Sequence, residues 1–207
     1  MRILVIDNYD SFTYNLVQYI SEITSYSMDV FRNDAIDISE VAGYDTIILS
    51  PGPGVPSDAG ITPEIIRTYS RSKSILGVCL GHQAIGEVFG GQLYNLDKVF
   101  HGVATRIEVI DQSEILFAGM KRSFDGGRYH SWIVRKENLP DCLRITAVDE
   151  NGIIMALSHK EFNVRGVQFH PESILTPEGK TLLKNFLEFA ASYNKQVQKN
   201  NLVKPAG

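Results

Sequence analysis

The chain of 207 residues is of single-domain size, and its hydrophobic content of 43 % is enough for one sizeable core. Its 20 basic side chains against 24 acidic ones leave a net charge of -4, which supports solubility and offers no basic footprint for nucleic acid. The apolar runs at 47–49 and 75–78 are too short to span a bilayer, and the 2 cysteines lack the CxxC spacing of a zinc knuckle or a disulfide framework.

The opening string MRILVID reads as a buried strand over 3–6 rather than a cleavable signal, so a cytoplasmic setting is expected. Phe12, Leu16, Tyr19, Ile20 and Ile23 then recur at helical spacing, with Asp10 or Ser11 available as a cap. Strands at 29–31, 46–49 and 74–78 alternate with helices at 62–69 and after Gly81, the pattern of a parallel α/β sheet. Beyond Gly90-Gly91 the helices drop out, and strands are expected at 92–96, 105–109, 131–134, 143–148, 153–157 and 164–169. The turn signal Glu150-Asn151-Gly152 and the polar stretch 159–163 fit hairpin connections. A last helix at 177–193 would bury Leu182, Leu183, Phe186, Leu187 and Phe189. The expected fold is three-layer α/β: a mixed, mostly parallel central sheet flanked by helices, with an additional antiparallel strand region. Residues 1–193 read as one domain, and the polar, aperiodic tail 194–207 as frayed or disordered.

The chemistry centres on the joint between the strand at 74–78 and the following helix. Gly77-Val78-Cys79-Leu80-Gly81 is G-x-C-x-G, a nucleophile-elbow pattern with sulfur in place of the serine oxygen. Small flanking residues permit the sharp turn, and the start of a helix favours a thiolate. The Leu80 amide is a natural oxyanion donor there. On this string alone, an inert buried cysteine and a nucleophile are about equally expected.

A base is supplied at the end of another strand, in Phe169-His170-Pro171-Glu172. Residues two apart on an extended chain face the same way, so His170 and Glu172 can share one site, with the carboxylate orienting the imidazole. The string Ser50-Pro51-Gly52-Pro53-Gly54-Val55-Pro56 follows the strand at 46–49 and lies at the same sheet edge, where Gly52 can offer a second oxyanion N–H. Ordinary turns carry Pro/Gly runs too, and this one has neither a dinucleotide nor a P-loop spacing.

Taken together, SPGPGVP at 50–56, GVCLGHQ at 77–83, RYHSW at 128–132 and GVQFHPES at 166–173 resemble the class I, triad-type glutamine amidotransferases over roughly 1–193. NYDSFTYNLVQY at 8–19 narrows the resemblance to the glutaminase components of anthranilate synthase and aminodeoxychorismate synthase. The resemblance implies Cys79 as nucleophile, His170 as acid/base, Glu172 as orienting carboxylate, and Gly52 and Leu80 as oxyanion amides. It also implies that glutamine is held by Pro51, Gly52, Pro53, Gly54 and Gln83 and by backbone at Ser131 and Trp132. Relatives commonly carry leucine where Trp132 stands, and lysine where Val103 follows His101-Gly102. No metal or organic cofactor is implied. The implied partner is a chorismate-binding synthase subunit in a hetero-oligomer, with L-glutamine as substrate and neither nucleic acid nor membrane involved. The readings that compete are a gamma-glutamyl hydrolase or peptidase on the same scaffold and a regulatory module without catalysis.

Other reactive types carry weaker signals. His82 reads as a structural helix-start residue, His101 and His130 equally as site-wall or as plain surface loop histidines, His159 as a solvent-exposed turn residue, and Cys142 as core packing.

Overall fold

The structure is a computed structural model that describes the backbone of residues 1–203 and the side chains of residues 1–196. In chain order the strands and helices are β1 (Arg2–Asp7), α1 (Thr13–Ile23), β2 (Ser27–Arg32), β3 (Thr46–Leu49), α2 (Thr62–Tyr69), β4 (Ser74–Val78) and α3 (Leu80–Val88). There follow β5 (Leu93–Asn95), β6 (Val103–Val109), β7 (Ser123–Arg128), β8 (Trp132–Val134), β9 (Leu143–Asp149), β10 (Ile154–His159), β11 (Val164–Val167) and α4 (Gly179–Val203).

Nine strands form one sheet in the order β2-β1-β3-β4-β11-β10-β9-β6-β7, and β5 pairs with β8 in a separate ribbon. From β2 to β11 the pairing is parallel; from β11 through β10, β9 and β6 to β7 it is antiparallel. The switch follows from the connections, since helices link the parallel strands whereas β9, β10 and β11 are joined by short turns. At the β9–β10 turn Gly152 takes φ 75°, and Asp149 Oδ1 accepts the amides of Asn151 and Ile153 at 2.9 and 2.8 Å.

Period-two alternation along β1 builds the three layers. Ile3 and Val5 join Leu16 and Ile20 of α1 and Leu182, Leu183 and Phe186 of α4 in one core cluster. Leu4 and Ile6 face the other way, into a cluster with Ile65 and Ile66 of α2 and Ala84 and Ile85 of α3. No helix among the described residues is long and apolar enough to cross a membrane.

Three local expectations change. β7, with the sequence SFDGGR, is absent from the expected strands, since its two glycines carry no side chain to make a strand pattern; a Cβ on Gly126 would lie 2.2 Å from Ile107 Cδ1, so close packing requires the glycine within the strand. α1 begins at Thr13, and Asp10 serves its start by accepting the Phe12 amide at 2.8 Å rather than as the capping residue itself. α4 continues past Tyr193 to Val203, and Asn194 is buried, donating to Asp45 O and Thr46 Oγ1 at 3.3 and 3.2 Å. The remainder of the tail, 204–207, lies outside the described residues.

Candidate active site

The C-terminal ends of β1, β3, β4 and β11 converge, as the edge of a parallel sheet makes them do, and the loops that carry the elbow, the Pro/Gly string and the His-Pro-Glu triplet all leave this edge. At the end of β4 the chain turns through Cys79 with φ 51° and ψ −98°, a conformation that non-glycine residues adopt only at a cost. The glycines on either side explain how the turn closes. A Cβ on Gly77 would lie 2.4 Å from the Gly81 carbonyl, and one on Gly81 would lie 2.6 Å from Leu49 O. The Cys79 amide donates to Val167 O at 2.8 Å, which ties the elbow to β11, and Cys79 is 5 % exposed.

Gly52 sits against the elbow: an added Cβ would meet Leu80 Cδ2 at 2.6 Å and Asn8 O at 2.7 Å. Asn8 also holds this loop, donating from Nδ2 to Ser50 O and from its amide to Ser50 Oγ, both at 2.9 Å. Among the described residues neither the Gly52 nor the Leu80 amide donates a hydrogen bond within the chain, so both stay available beside Cys79.

His170 Nδ1 lies 2.7 Å from Glu172 Oε1, and both side chains are buried. The His170 backbone is pinned at both ends: its amide donates to Gly127 O at 2.9 Å, and Thr176 Oγ1 donates to its carbonyl at 2.6 Å. Burial alone would push the ring toward its neutral form, but the Cys79 sulfur, as hydrogen-bond acceptor and charge partner, and the Glu172 carboxylate outweigh it and raise the His170 pKa well above the usual histidine value. Nε2 makes no hydrogen bond among the described residues. Phe12 and Tyr129 close the ring in, with centroids 5.3 and 4.8 Å away, and the Tyr129 hydroxyl lies 3.2 Å from Ser173 Oγ.

Two cavities meet at Cys79. One, of about 270 Å³, is lined by Gly52, Pro53, Gly54, Gln83, Ser131 and Trp132. The other, of about 400 Å³, is lined by Pro51, Phe12, Tyr129 and His170. A larger cavity of about 500 Å³ opens between Tyr94, Arg135 and Gly152 and contains none of the residues that carry the chemistry. The carbonyls of the Ser131–Trp132 pair are engaged within the protein: Ser131 O accepts the Leu96 amide at 2.9 Å, and Trp132 O accepts Gln83 Nε2 at 2.9 Å and His130 Nδ1 at 3.0 Å.

Behind that carbonyl lies a fully buried Arg128, paired with Asp149 at 2.7 Å, stacked 3.6 Å over Phe100 and donating from Nε to His130 Nε2 at 3.1 Å. Burial first, and the Arg128 charge second, hold His130 neutral with a pKa lowered to about 3. His82 is wholly buried in α3 and is lowered by burial to about 4, against a smaller opposing effect of the Gly166 backbone beside its ring. His159, expected in solvent, is instead 7 % exposed at the end of β10 and stacked 4.1 Å from the Phe162 ring. Cys142 is half-buried against the core, and His101 lines both cavities at Cys79. No group of three or more His, Cys, Asp or Glu among the described residues is placed to hold a metal ion.

Residues 4–189 match the family model described as "Glutamine amidotransferase class-I". The chain belongs to the class I glutamine amidotransferases. This amidotransferase is 46 % identical over 197 residues to the aminodeoxychorismate/anthranilate synthase component 2 of Bacillus subtilis, covering 94 % of this chain and 98 % of the relative. It is 49 % identical over 191 residues to the anthranilate synthase component 2 of Pyropia yezoensis, covering 91 % and 100 %. Against the bifunctional protein TrpGD of Thermotoga maritima it is 48 % identical, covering 90 % of this chain and spanning 32 % of the relative's length. Among solved structures, a protein described as a GMP synthase subunit from Thermoplasma acidophilum aligns with a TM-score of 0.85 at 28 % identity, covering 96 % of this chain and 98 % of that one.

Sequence reasoning about this amidotransferase misses Gln168, whose Nε2 lies 3.6 Å from Cys79 Sγ, and Tyr129, whose ring packs on His170. Both stand inside the quoted motifs, Gln168 two positions before His170; β11 ends at Val167, so it is the bend after the strand that sets where Gln168 points. Phe12 fits a core stripe as readily as a contact surface in the sequence; its ring is a wall of the site.

Proposed function

We propose that this chain is the glutaminase component of a chorismate-aminating synthase, hydrolysing L-glutamine at Cys79 and handing ammonia to a separate synthase subunit. The observation that carries the reading is the buried imidazole of His170, 2.7 Å from Glu172 and set in one cavity wall with Cys79. A base so poised takes the thiol proton, and the Cys79 sulfur attacks the side-chain amide carbon. The oxyanion forms against the Gly52 and Leu80 amides. His170 returns the proton to the departing nitrogen, which leaves as ammonia, and a thioester remains. Water then gives a proton to His170 and adds to the thioester; collapse returns the proton to sulfur and releases glutamate.

In this reading glutamine fills the cavity lined by Gly52, Pro53, Gly54, Gln83, Ser131 and Trp132, with Pro51 stiffening its edge. The backbone carbonyl of Trp132 is already saturated, so the pair binds substrate through its amides and the Ser131 side chain, and Gln83 through Oε1. The chemistry needs no metal or cofactor. Residues 1–193 act as one domain, and a cytoplasmic setting keeps the thiol reduced.

Anthranilate synthesis is the partner reaction favoured by the naming of the Pyropia yezoensis relative; that of the Bacillus subtilis relative supports a shared role with aminodeoxychorismate synthesis. Glutamate release measured with and without a chorismate-aminating subunit tests the proposal. Cys79→Ala should abolish glutamine-dependent amination by the complex and leave ammonia-dependent amination intact. Equal loss of both, or cleavage of gamma-glutamyl peptides with glutamine untouched, would overturn it.

A further inference from the structure

A line of polar groups runs from Trp132 to Cys79. Gln83 Nε2 is 2.9 Å from Trp132 O and 3.3 Å from Gln168 Oε1, and Gln168 Nε2 is 3.6 Å from Cys79 Sγ. Gln83 and Gln168 are 2 % and 0 % exposed, so neither amide is turned out to bulk solvent. We propose that Gln168 is a further catalytic residue, an N–H donor fixed onto the Cys79 sulfur by a hydrogen-bond direction that starts at the Trp132 carbonyl. The inference rests on the reading of Cys79 as nucleophile.

The direction follows from what each group can do. A backbone carbonyl only accepts, so the amide end of Gln83 that faces Trp132 O must be its NH₂. The second hydrogen of that NH₂ points at Gln168, which must therefore present its oxygen. The NH₂ of Gln168 is left for the sulfur. Flipping either amide would set two acceptors or two donors against each other in a buried place, which is costly.

The far end is anchored in the same way. An arginine only donates, so His130 must accept at Nε2 and carry its proton on Nδ1, which adds a second donor to Trp132 O. Arg128, His130 and Gln83 are thus positioning residues for one contact, the N–H on sulfur. A donor in that place favours the thiolate over the thiol and favours sulfur as a leaving group when the thioester is hydrolysed. His170, which lines the same cavity as Cys79, is the acid/base of the proposed mechanism and acts apart from this donor.

The test is alkylation of Cys79 by iodoacetamide as a function of pH, in a Cys142→Ser background so that one thiol reports. Gln168→Leu should slow alkylation roughly tenfold at pH 7, with the rates converging at high pH where the thiolate no longer needs the donor. Gln168→Glu keeps the shape, presents only acceptors, and should slow it at least as much. Gln83→Met frees Gln168 to turn and should slow it a few-fold, which keeps the idea testable if the Gln168 variants fail to fold by circular dichroism. Folded Gln168→Leu and Gln83→Met proteins with the parental profile would overturn the assignment. Glutamine hydrolysis surviving in Cys79→Ala would overturn the nucleophile reading instead; the alkylation comparison uses no glutamine and decides Gln168 separately.

Discussion

Glu172 Oε1 stands 2.7 Å from His170 Nδ1 in a place where the two side chains are 0 % and 2 % exposed. Out of water, a carboxylate at that distance fixes the ring's tautomer and favours its charged form, the form that must exist once the thiol proton has moved. Glu172→Gln keeps the volume and loses the charge. Glutamine-dependent amination by the complex should fall by about 10³- to 10⁴-fold, while amination from added ammonia stays within a factor of about two. A loss of less than about tenfold would mean that Glu172 does not orient the base.

The Gly52 backbone fills a gap bounded by Leu80 Cδ2 at 2.6 Å and Asn8 O at 2.7 Å from any added Cβ. Gly52→Ala must push the loop away from the elbow, because the Asn8 contact is backbone. If its amide is an oxyanion donor, glutamine turnover drops by about 10² to 10³ with a smaller change in KM, since the contact strengthens only as charge develops. Steady-state kinetics with the synthase subunit separate the outcomes. A rise in KM with kcat unchanged would make Gly52 a substrate contact only.

Much of this is legible in the sequence for physical reasons that can be named. The strands at Thr46–Leu49 and Ser74–Val78 are readable to the residue because fully buried parallel strands are unbroken apolar runs bounded by turn residues. His170 and Glu172 can be paired because they stand two apart in one short segment; the strand expected at 164–169 ends at Val167, and it is the turn beyond it that brings the two side chains together. β7 resists, since Gly126 and Gly127 are there for packing against Ile107 and Ser173, and a need for space created by a distant strand leaves no local pattern, whereas the neighbouring strand expected at 105–109 is found as β6. The contact between Gln168 and Cys79 spans 89 positions and cannot be read from spacing. His159 is misplaced by the sequence for a related reason: its turn is polar, yet Phe89 and Phe162 cover the ring.

Arg128 is fully buried, and its charge is balanced by Asp149 at 2.7 Å. Arg128→Met strands the Asp149 carboxylate and leaves His130 Nε2 without a donor, so stability should fall by about 3–5 kcal/mol. Adding Asp149→Leu should recover only part, because Asp149 Oδ1 also holds the amides of Asn151 and Ile153. Denaturant unfolding of the single and double variants checks this; full recovery would show the turn contacts to be worthless.

Acid should weaken the fold before its carboxylates titrate. His82 and His130 are held neutral by burial, lowered to about 4 and about 3, whereas in the unfolded chain each takes a proton near pH 6.5. The unfolded state therefore binds more protons below pH 6.5, and stability falls as pH drops toward 4, by about 2 to 3 kcal/mol per unit near pH 5.5 for the two groups together. His159, lowered by burial, adds in the same direction. His170 has the opposite sign: raised in the fold, its contribution is complete below pH 6.5 and is lost only as pH rises through its folded value. His82→Leu removes the group held neutral by burial, so it should take up about one proton fewer on unfolding at pH 5.5. Urea unfolding between pH 5 and 6.5 measures that number, and an unchanged slope in the variant would show that His82 carries its proton in the fold.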